Sequence, residues 1–553
     1  MADRRARGRG WLAALAGVAA AVLAVGLGEL AAALLAPGSG PLAAVGEALV
    51  DLAPAWAKDT AIALFGTGDK AALLVGIGIV LVAVAAGSGV LQARRPPWGA
   101  VVFWLLGVVG AIAAATRADA GPLAVVPSAV AGLAGAVAVH VLVRRLPESA
   151  VGARAGAERG ASGASGASGA SGASGASGPI EASERPATAP GSRASAGTDR
   201  RRFLLWTAGT AVVGVLAIVG GTAAQYGRRA VRAVRDAISL PVPTTTARIP
   251  AGAELAVDGL DPIVTPNADF YRIDTALVVP EVDPATWTLR IHGKVANEVT
   301  LDWAELTALP FAEHAVTLAC VSNEVGGNLI GNAVWLGTPI RDLLARAVPD
   351  ADADMVLSRS VDGFTAGTPL SVLTDPDRDA ILAIGMNGEP LPIEHGFPVR
   401  MVVPGLYGYV SATKWVAELE VTRFDEASAY WTDRGWSAEG PIKLQSRIDV
   451  PRNASSVAAG PLVVAGVAWY QHVGVAKVEV QVDDDGPWYE ADLATAISDD
   501  TWVQWRWDWN APSGGHTLRV RATGADGTVQ TSEQAPPAPD GATGLHRITV
   551  SSS

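Results

Sequence analysis

Four nearly uncharged apolar runs crowd into the first 145 residues, at about 12–35, 71–92, 98–116 and 121–143. A hydrocarbon core about 30 Å thick takes roughly 20 helical residues to cross. Inside it every backbone N–H and C=O must be satisfied within the segment, which favours the helix. One such run could be a buried core helix of a soluble protein. Four in succession predict a four-span α-helical membrane bundle over residues 1–147. Arg4, Arg5, Arg7 and Arg9 precede the first run, Arg94 and Arg95 separate the second from the third, and Arg144 and Arg145 follow the fourth. The positive-inside rule makes those three places cytoplasmic, so both ends of the bundle face the cytoplasm. Glu29, inside the first run, is either a proton or ion site or a carboxylate near one face of the bilayer. His140 is the only histidine in any run, too few for bis-histidine haem ligation within the chain.

Charge divides the chain. Residues 1–244 carry 22 Lys and Arg against 13 Asp and Glu, and residues 245–553 carry 20 against 41, a net of +9 beside a net of −21. A basic half suits a membrane and an acidic half suits water. The acidic half excludes nucleic acid as a partner, since a phosphate backbone selects a basic surface.

Between the halves, residues 161–178 are six copies of Ala-Ser-Gly within a tract rich in small and polar residues. This composition buries too little apolar surface to offset chain entropy, so residues 148–199 read as a flexible cytoplasmic linker. Directly after it, Asp199-Arg-Arg-Arg-Phe-Leu-Leu205 precedes an apolar run to about Thr222. Paired arginines ahead of Phe-Leu resemble a twin-arginine export signal, and residues 200–224 read as that signal retained as a fifth transmembrane anchor. The plainer reading is an ordinary fifth span, against which stand Arg228, Arg229, Arg232 and Arg235 on its far side. A partner implied by the first reading is the twin-arginine translocase, which moves proteins already folded.

From about residue 245 short strands, helices and turns alternate. Asp302-Trp-Ala-Glu305 predicts a capping-box helix start, and Thr338-Pro339 opens another helix that carries Leu343 and Leu344 and ends before Pro349. Trp287–Ile291 and Val399–Val403 read as strands, which makes residues 245–436 a mixed α+β domain. Residues 441–550 read as all-β. Lys477–Val482 alternates before the turn signal Asp485-Gly486, and Trp505, Trp507 and Trp509 share one strand face as core rather than as a carbohydrate-binding surface. The spacing predicts an immunoglobulin-like β-sandwich.

Cys320 is the only cysteine in 553 residues. It can form no internal disulfide and cannot by itself build a Cys-rich metal cluster. It is either a small buried hydrophobe or a reactive or ligating sulfur.

Its neighbourhood is specific. Trp287-Thr-Leu-Arg-Ile-His-Gly293 comes first, then Thr317-Leu-Ala-Cys-Val-Ser-Asn-Glu-Val-Gly-Gly-Asn328 and Ala333-Val-Trp-Leu-Gly-Thr-Pro339. Met386-Asn-Gly-Glu-Pro-Leu-Pro392, His395-Gly-Phe-Pro-Val-Arg-Met-Val-Val-Pro-Gly405 and Ala412-Thr-Lys-Trp415 follow. In this order, over roughly 265–550, they resemble the sulfite oxidase family of molybdopterin enzymes. The resemblance implies a multi-domain chain: the membrane bundle, then an α+β sulfite-oxidase-type molybdopterin domain, then an Ig-like β-sandwich of dimerisation type. It implies Mo-molybdopterin as cofactor and Cys320 as metal ligand and catalytic residue. It also implies cofactor contacts from His395, Arg400 and Lys414, from Asn267, Tyr271 and Arg272, and from Ser360 on a strand following a helix that carries Cys320. A homodimer is implied by the same resemblance.

Two departures bear on substrate. Sulfite-oxidising members carry arginines shortly after the metal cysteine, where this chain has Glu324 and no cation, and Phe364 stands where they carry an active-site tyrosine. A carboxylate repels sulfite. The expected activity is two-electron oxo transfer to or from a small molecule, outside a cytoplasmic membrane that the chain crosses several times. Electrons pass to or from a separate carrier, a haem protein or a quinone-linked one. Reduction of S-oxides or N-oxides would use the same site. The competing class is a non-catalytic exported binding module with a degenerate cofactor site.

Overall fold

The computed structural model describes residues 2–36, 39–53, 60, 69–117, 120–147, 194–224, 227–276 and 278–553. The Ala-Ser-Gly repeats fall outside these. The chain divides into two compact units, residues 1–49 with 70–226, and residues 50–69 with 227–553.

In the first unit the helices are α1 (Ala2–Leu35), α2 (Pro41–Leu52), α3 (Asp69–Arg94), α4 (Trp98–Ala115), α5 (Val126–Arg144) and α6 (Ala194–Ala224). Five stretches are long and apolar enough to cross a membrane: Arg9–Leu35, Ala72–Arg94, Trp98–Ala115, Val126–Arg144 and Arg200–Gly220. Small residues let them approach. A Cβ on Gly107 of α4 would meet the Gly132 Cα of α5 at 2.6 Å, and one on Gly26 of α1 would meet the Gly214 carbonyl of α6 at 2.2 Å. Close backbone contacts of this kind are what hold apolar helices together in lipid, where hydrophobic association gains little. Several polar residues in or beside these helices have local partners. Glu29 accepts the Leu42 N–H at the start of α2, Gln92 and His140 hydrogen-bond at 3.2 Å, and Arg117 pairs with Glu47 of α2. Helix α2, too short to span, has no counterpart among the four runs read from sequence.

The second unit opens with α7 (Gly227–Ala237) and then builds three sheets. One has the order β2-β1-β10-β5-β6, from β1 (Thr288–Gly293), β2 (Val299–Asp302), β5 (Met355–Ser360), β6 (Thr365–Pro369) and β10 (Val416–Thr422). Its β1 and β10 run parallel. The second has the order β3-β4-β7-β8, from β3 (Ala312–Ala319), β4 (Ile330–Pro339), β7 (Ile381–Met386) and β8 (Glu389–Pro390), with β9 (Arg400–Val402) also pairing β7. Helices α8 (Trp303–Thr307), α9 (Ile340–Ala347) and α10 (Leu370–Thr374) lie between strands. The capping box forms as the sequence predicts: Glu305 N–H donates to Asp302 Oδ1 at 2.8 Å and Asp302 N–H to Glu305 Oε2 at 3.0 Å. Helix α9 buries Leu343 and Leu344 and stops at left-handed Val348, one residue before Pro349.

The C-terminal region is β-rich, with the strand path β11-β13-β16-β15-β14-β17-β18-β12. These strands are β11 (Gln445–Val450), β12 (Ser455–Val457), β13 (Gly460–Trp469), β14 (Val475–Val482), β15 (Trp488–Leu493), β16 (Val503–Ala511), β17 (Gly514–Gly524) and β18 (His546–Ser552). Strand β15 bends from one half of the path to the other, pairing β14 through Ala491 and β16 from Asp492. Both halves close on one core that includes Val464, Val478, Trp505, Trp509 and Val520. Strand β13 is buried on both faces. Val464 and Ala468 enter that core, while Val467 and Trp469 join Trp502 in the larger core around Leu289, Leu343 and Met401. Two-sided burial explains why this strand reads as the nearly unbroken apolar run Leu-Val-Val-Ala-Gly-Val-Ala-Trp469.

Candidate active site

Strand β3 delivers Cys320. Its ladder with β4 continues to Ala319 opposite Ile330, and Cys320 N–H then donates to Leu329 O at 2.9 Å. The sequence-based expectation of a helix carrying Cys320 is therefore corrected. A strand supplies it, and a tight turn with left-handed Gly326 and its neighbour Gly327 leads back into β4. The thiol is buried, and burial pushes its pKa up, opposed by hydrogen bonds from the N–H and hydroxyl of Ser322.

Other elements hold this turn and its strand. Thr317, three residues upstream, gives its N–H to Asp500 O at 3.0 Å, and its hydroxyl accepts the Trp502 N–H at 2.8 Å. Arg447 of β11 donates to Gly327 O at 2.8 Å and pairs with Asp261 at 2.5 Å and Asp449 at 2.6 Å. The His546 ring lies where a Cβ on Gly326 would be, so only glycine fits there.

Two tyrosines lie within electrostatic reach of the thiol. Tyr271 is partly buried and its pKa is pushed far up, by desolvation first and then by Cys320, with Arg400 opposing. Tyr407 is pushed up to about 12 by burial, with Asp540 and Cys320 adding to it. Both stay protonated at neutral pH. Sequence reasoning missed Tyr407 and Ser322. Tyr407 was available as an aromatic between Gly405 and Gly408, in the short gap between the two stretches singled out, His395–Gly405 and Ala412–Trp415.

The cations gather beside them. Arg400 is fully enclosed, its guanidinium donating to His395 O at 3.1 Å and Met401 O at 3.3 Å and lying 5.0 Å from the Trp335 ring centre. Burial lowers its pKa to about 10, with Tyr271 opposing. Lys414 donates to Asp274 at 2.8 Å and to Glu394 O at 3.0 Å, and burial brings it down to about 8 against the pull of Asp274. Arg272 shares that carboxylate at 2.8 Å. His395 is held neutral, down to about 3, by burial first and then by Arg400 and Lys414, while the Asn267 carbonyl accepts from its ring. The Asn267 side chain is used in the fold, accepting from Asn387 at 2.8 Å and donating to Met386 O at 3.3 Å. Ser360 ends β5, where its hydroxyl bonds Asp362, whose carboxyl burial pushes up and which is coupled to Asp274 and Lys414. Phe364 packs 5.8 Å from Tyr430, and Glu324 is exposed on the turn.

The structure thus brings Tyr271, Arg272, His395, Arg400 and Lys414 into one electrostatically linked cluster, with Cys320 linked to it through Tyr271, Asn267 beside His395 and Ser360 beside Asp362. Buried cations are stable when an anion compensates them. Arg400 hydrogen-bonds only to carbonyls among the described residues, while Lys414 and Arg272 share one carboxylate. This donor set fits a phosphate-bearing group. No group of three or more His, Cys, Asp or Glu among the described residues is arranged to hold a metal ion. A metal at Cys320 needs its other donors from a cofactor.

Residues 276–431 match the oxidoreductase molybdopterin binding domain. These residues are a molybdopterin-binding domain of the sulfite oxidase type. Mitochondrial sulfite oxidase of Mus musculus is 32% identical over 282 residues, covering 43% of this chain and 50% of the mouse protein. The nitrate reductase [NAD(P)H] of Hordeum vulgare is 35% identical over 178 residues, covering 28% of this chain and 20% of the barley one. Among solved structures, the sulfane dehydrogenase SoxCD of Paracoccus pantotrophus superposes with a TM-score of 0.46 at 22% identity, over 53% of this chain and 81% of that one. The chain spans about half the length of the mammalian relatives it matches. The family is one of oxidoreductases, and the cofactor of the sulfite-oxidase-type domain is Mo-molybdopterin.

Proposed function

We propose that this chain is a membrane-anchored molybdenum-cofactor oxidoreductase that carries out two-electron oxo transfer on a small substrate outside the cytoplasmic membrane. The observation that carries the reading is a lone buried thiol near a cluster of three cations, of which Lys414 and Arg272 share one carboxylate and Arg400 has only carbonyl partners among the described residues. When bound, the cofactor supplies a metal centre able to accept or donate an oxygen atom with two electrons.

The chain's own residues do the rest. Cys320 is the protein's ligand to the metal, a soft thiolate suited to it, on a turn fixed at both ends. Arg400, Lys414 and Arg272 hold the anionic end of the cofactor, with Asn267 and Ser360 at the margins. His395, kept neutral, offers the pterin one donor or acceptor nitrogen without adding charge. Tyr271 and Tyr407 keep their phenolic protons and offer hydrogen bonds to substrate oxygen on the thiol side. In the oxidative direction water provides the oxygen, two protons go to solvent and two electrons pass out of the site. A separate haem protein or quinone-linked carrier takes the electrons.

Residues 321–329 bring Glu324 and no cation to the turn after Cys320, which favours S-oxides, N-oxides or their reduced partners over sulfite. The arginines flanking the apolar runs support a cytoplasmic linker and an exported catalytic region, with residues 200–224 as the twin-arginine signal and anchor. The division into 1–147, 148–199, 200–224, 245–436 and 441–550, the last as an Ig-like sandwich able to pair two chains, belongs to the same reading.

Turnover of sulfite, sulfoxides and N-oxides with one artificial electron carrier tests the chemistry. Sulfoxide or N-oxide turnover exceeding that with sulfite is expected, and a preference for sulfite would overturn the substrate assignment. Replacing Arg200 and Arg201 by Lys should leave residues 245–553 protected from external protease in intact cells. Unchanged accessibility would remove the export signal.

A further inference from the structure

Helix α7 follows the last membrane-length stretch, Arg200–Gly220, after only six residues. A chain advances at most about 3.6 Å per residue, so α7 begins within roughly 25 Å of the end of that span. Its sequence, Gly-Arg-Arg-Ala-Val-Arg-Ala-Val-Arg-Asp-Ala237, carries four arginines and one aspartate. At 100° per residue Arg228, Arg232 and Arg235 fall on one stripe, with Val231, Val234 and Ile238 on the next.

The apolar stripe is partly used. Val231 and Ile238 pack on the core of Phe270, Trp335, Ile393 and Phe397. Arg235 fixes the rotation of the helix, its Nε and Nη2 donating to Leu391 O at 2.8 Å and Pro390 O at 2.7 Å, and its Nη1 to Asp236 at 2.8 Å. Arg232 remains exposed. Between α7 and residues 392–394 lies an open cavity of about 230 Å³ lined by Arg232, Arg235, Asp236, Pro392, Ile393 and Glu394. Residues 245–553 carry a net charge of −21, so on balance an anionic surface repels the rest of this unit while it attracts this helix.

We propose that α7 docks on anionic phospholipid headgroups, and that this turns the face carrying residues 389–394 toward the bilayer. The inference rests on residues 200–220 spanning the membrane, and not on the redox chemistry or on which side the unit lies. Arginines near an anionic bilayer attract it additively, on the order of five-fold each, and the acidic remainder points the opposite face away.

The test uses the full chain in lipid nanodiscs of phosphatidylcholine alone or mixed with phosphatidylglycerol, with hydrogen exchange followed over residues 227–238. Exchange should slow roughly ten-fold or more with phosphatidylglycerol. The slowing should vanish at high salt and in the variant carrying Arg228→Gln, Arg229→Gln and Arg232→Gln, which keeps Arg235 and its contacts. Equal exchange in both lipids would overturn the proposal. So would equal slowing by inorganic phosphate in phosphatidylcholine discs, which would make the site one for a soluble anion. Retention of the chain in discs at high salt reports the anchor separately, and its loss would remove the premise rather than the headgroup contact.

Discussion

Arg447 Nη1 donates to the carbonyl of Gly327 at 2.8 Å, so a strand of the C-terminal β-rich region grips the loop that follows Cys320. The same guanidinium is balanced by Asp449, only 8% exposed, and by Asp261. Burial raises the Asp449 pKa and Arg447 opposes the rise. Removing one partner of a buried pair leaves an uncompensated charge, which costs about 3–5 kcal/mol. Arg447→Ala should therefore lower unfolding free energy by about that amount and speed hydrogen exchange over residues 321–329. A loss below about 1 kcal/mol, with exchange unchanged, would mean that the β-rich region does not secure the loop.

Acid should loosen the same place. His546 Nδ1 accepts the Ile448 N–H at 3.0 Å and must be unprotonated to do so. Burial, then the charge of Arg447, lowers its pKa to about 4 from an ordinary 6.5. Between those values the unfolded chain binds a proton that the native one refuses. This contribution to stability is complete above pH 6.5 and is lost as pH falls toward 4, by up to about 3 kcal/mol. His395, lowered to about 3, acts with the same sign in cofactor-free protein. Denaturant midpoints between about pH 5 and 7 should rise with pH, with a shallower slope for His546→Gln. Identical slopes would remove His546 from the effect.

Arg400 separates folding from cofactor binding. In cofactor-free protein its buried charge has only carbonyls and an aromatic face as partners. An apolar residue of similar volume in such a place is often neutral or stabilising, by about 1–4 kcal/mol. Arg400→Met should thus leave the melting temperature of cofactor-free protein unchanged or raised, while molybdenum and pterin content after purification fall at least ten-fold. A variant that unfolds but, when folded, retains full cofactor would reverse the assignment.

The parts of the fold legible in sequence were those written locally. Four apolar runs became α1, α3, α4 and α5, the run after Arg202 became α6, and Asp302 and Glu305 formed their capping box. Trp505 and Trp509 entered the core and Trp507 stacked between Tyr489 and Trp509, because strand alternation fixes which side chains share a face. The grip of Arg447 on Gly327 crosses 120 residues, and no periodicity encodes such a pairing. The same holds for Tyr407, brought toward Cys320 by tertiary packing alone. Cys320 was legible as a site through its neighbours, yet was assigned to a helix. The residues beyond it resemble no strand, and only the ladder to Ile330 shows that β3 runs up to the thiol.

The central claim is that Cys320 supplies the protein's one ligand to molybdenum. X-ray absorption at the molybdenum edge, on full chain purified from a cofactor-producing host, tests it directly in wild type and Cys320→Ser. The wild type should contain molybdenum with one sulfur neighbour more than the variant, the variant keeping its overall fold. An equal sulfur count in the two proteins, or a wild type devoid of molybdenum, would contradict the account.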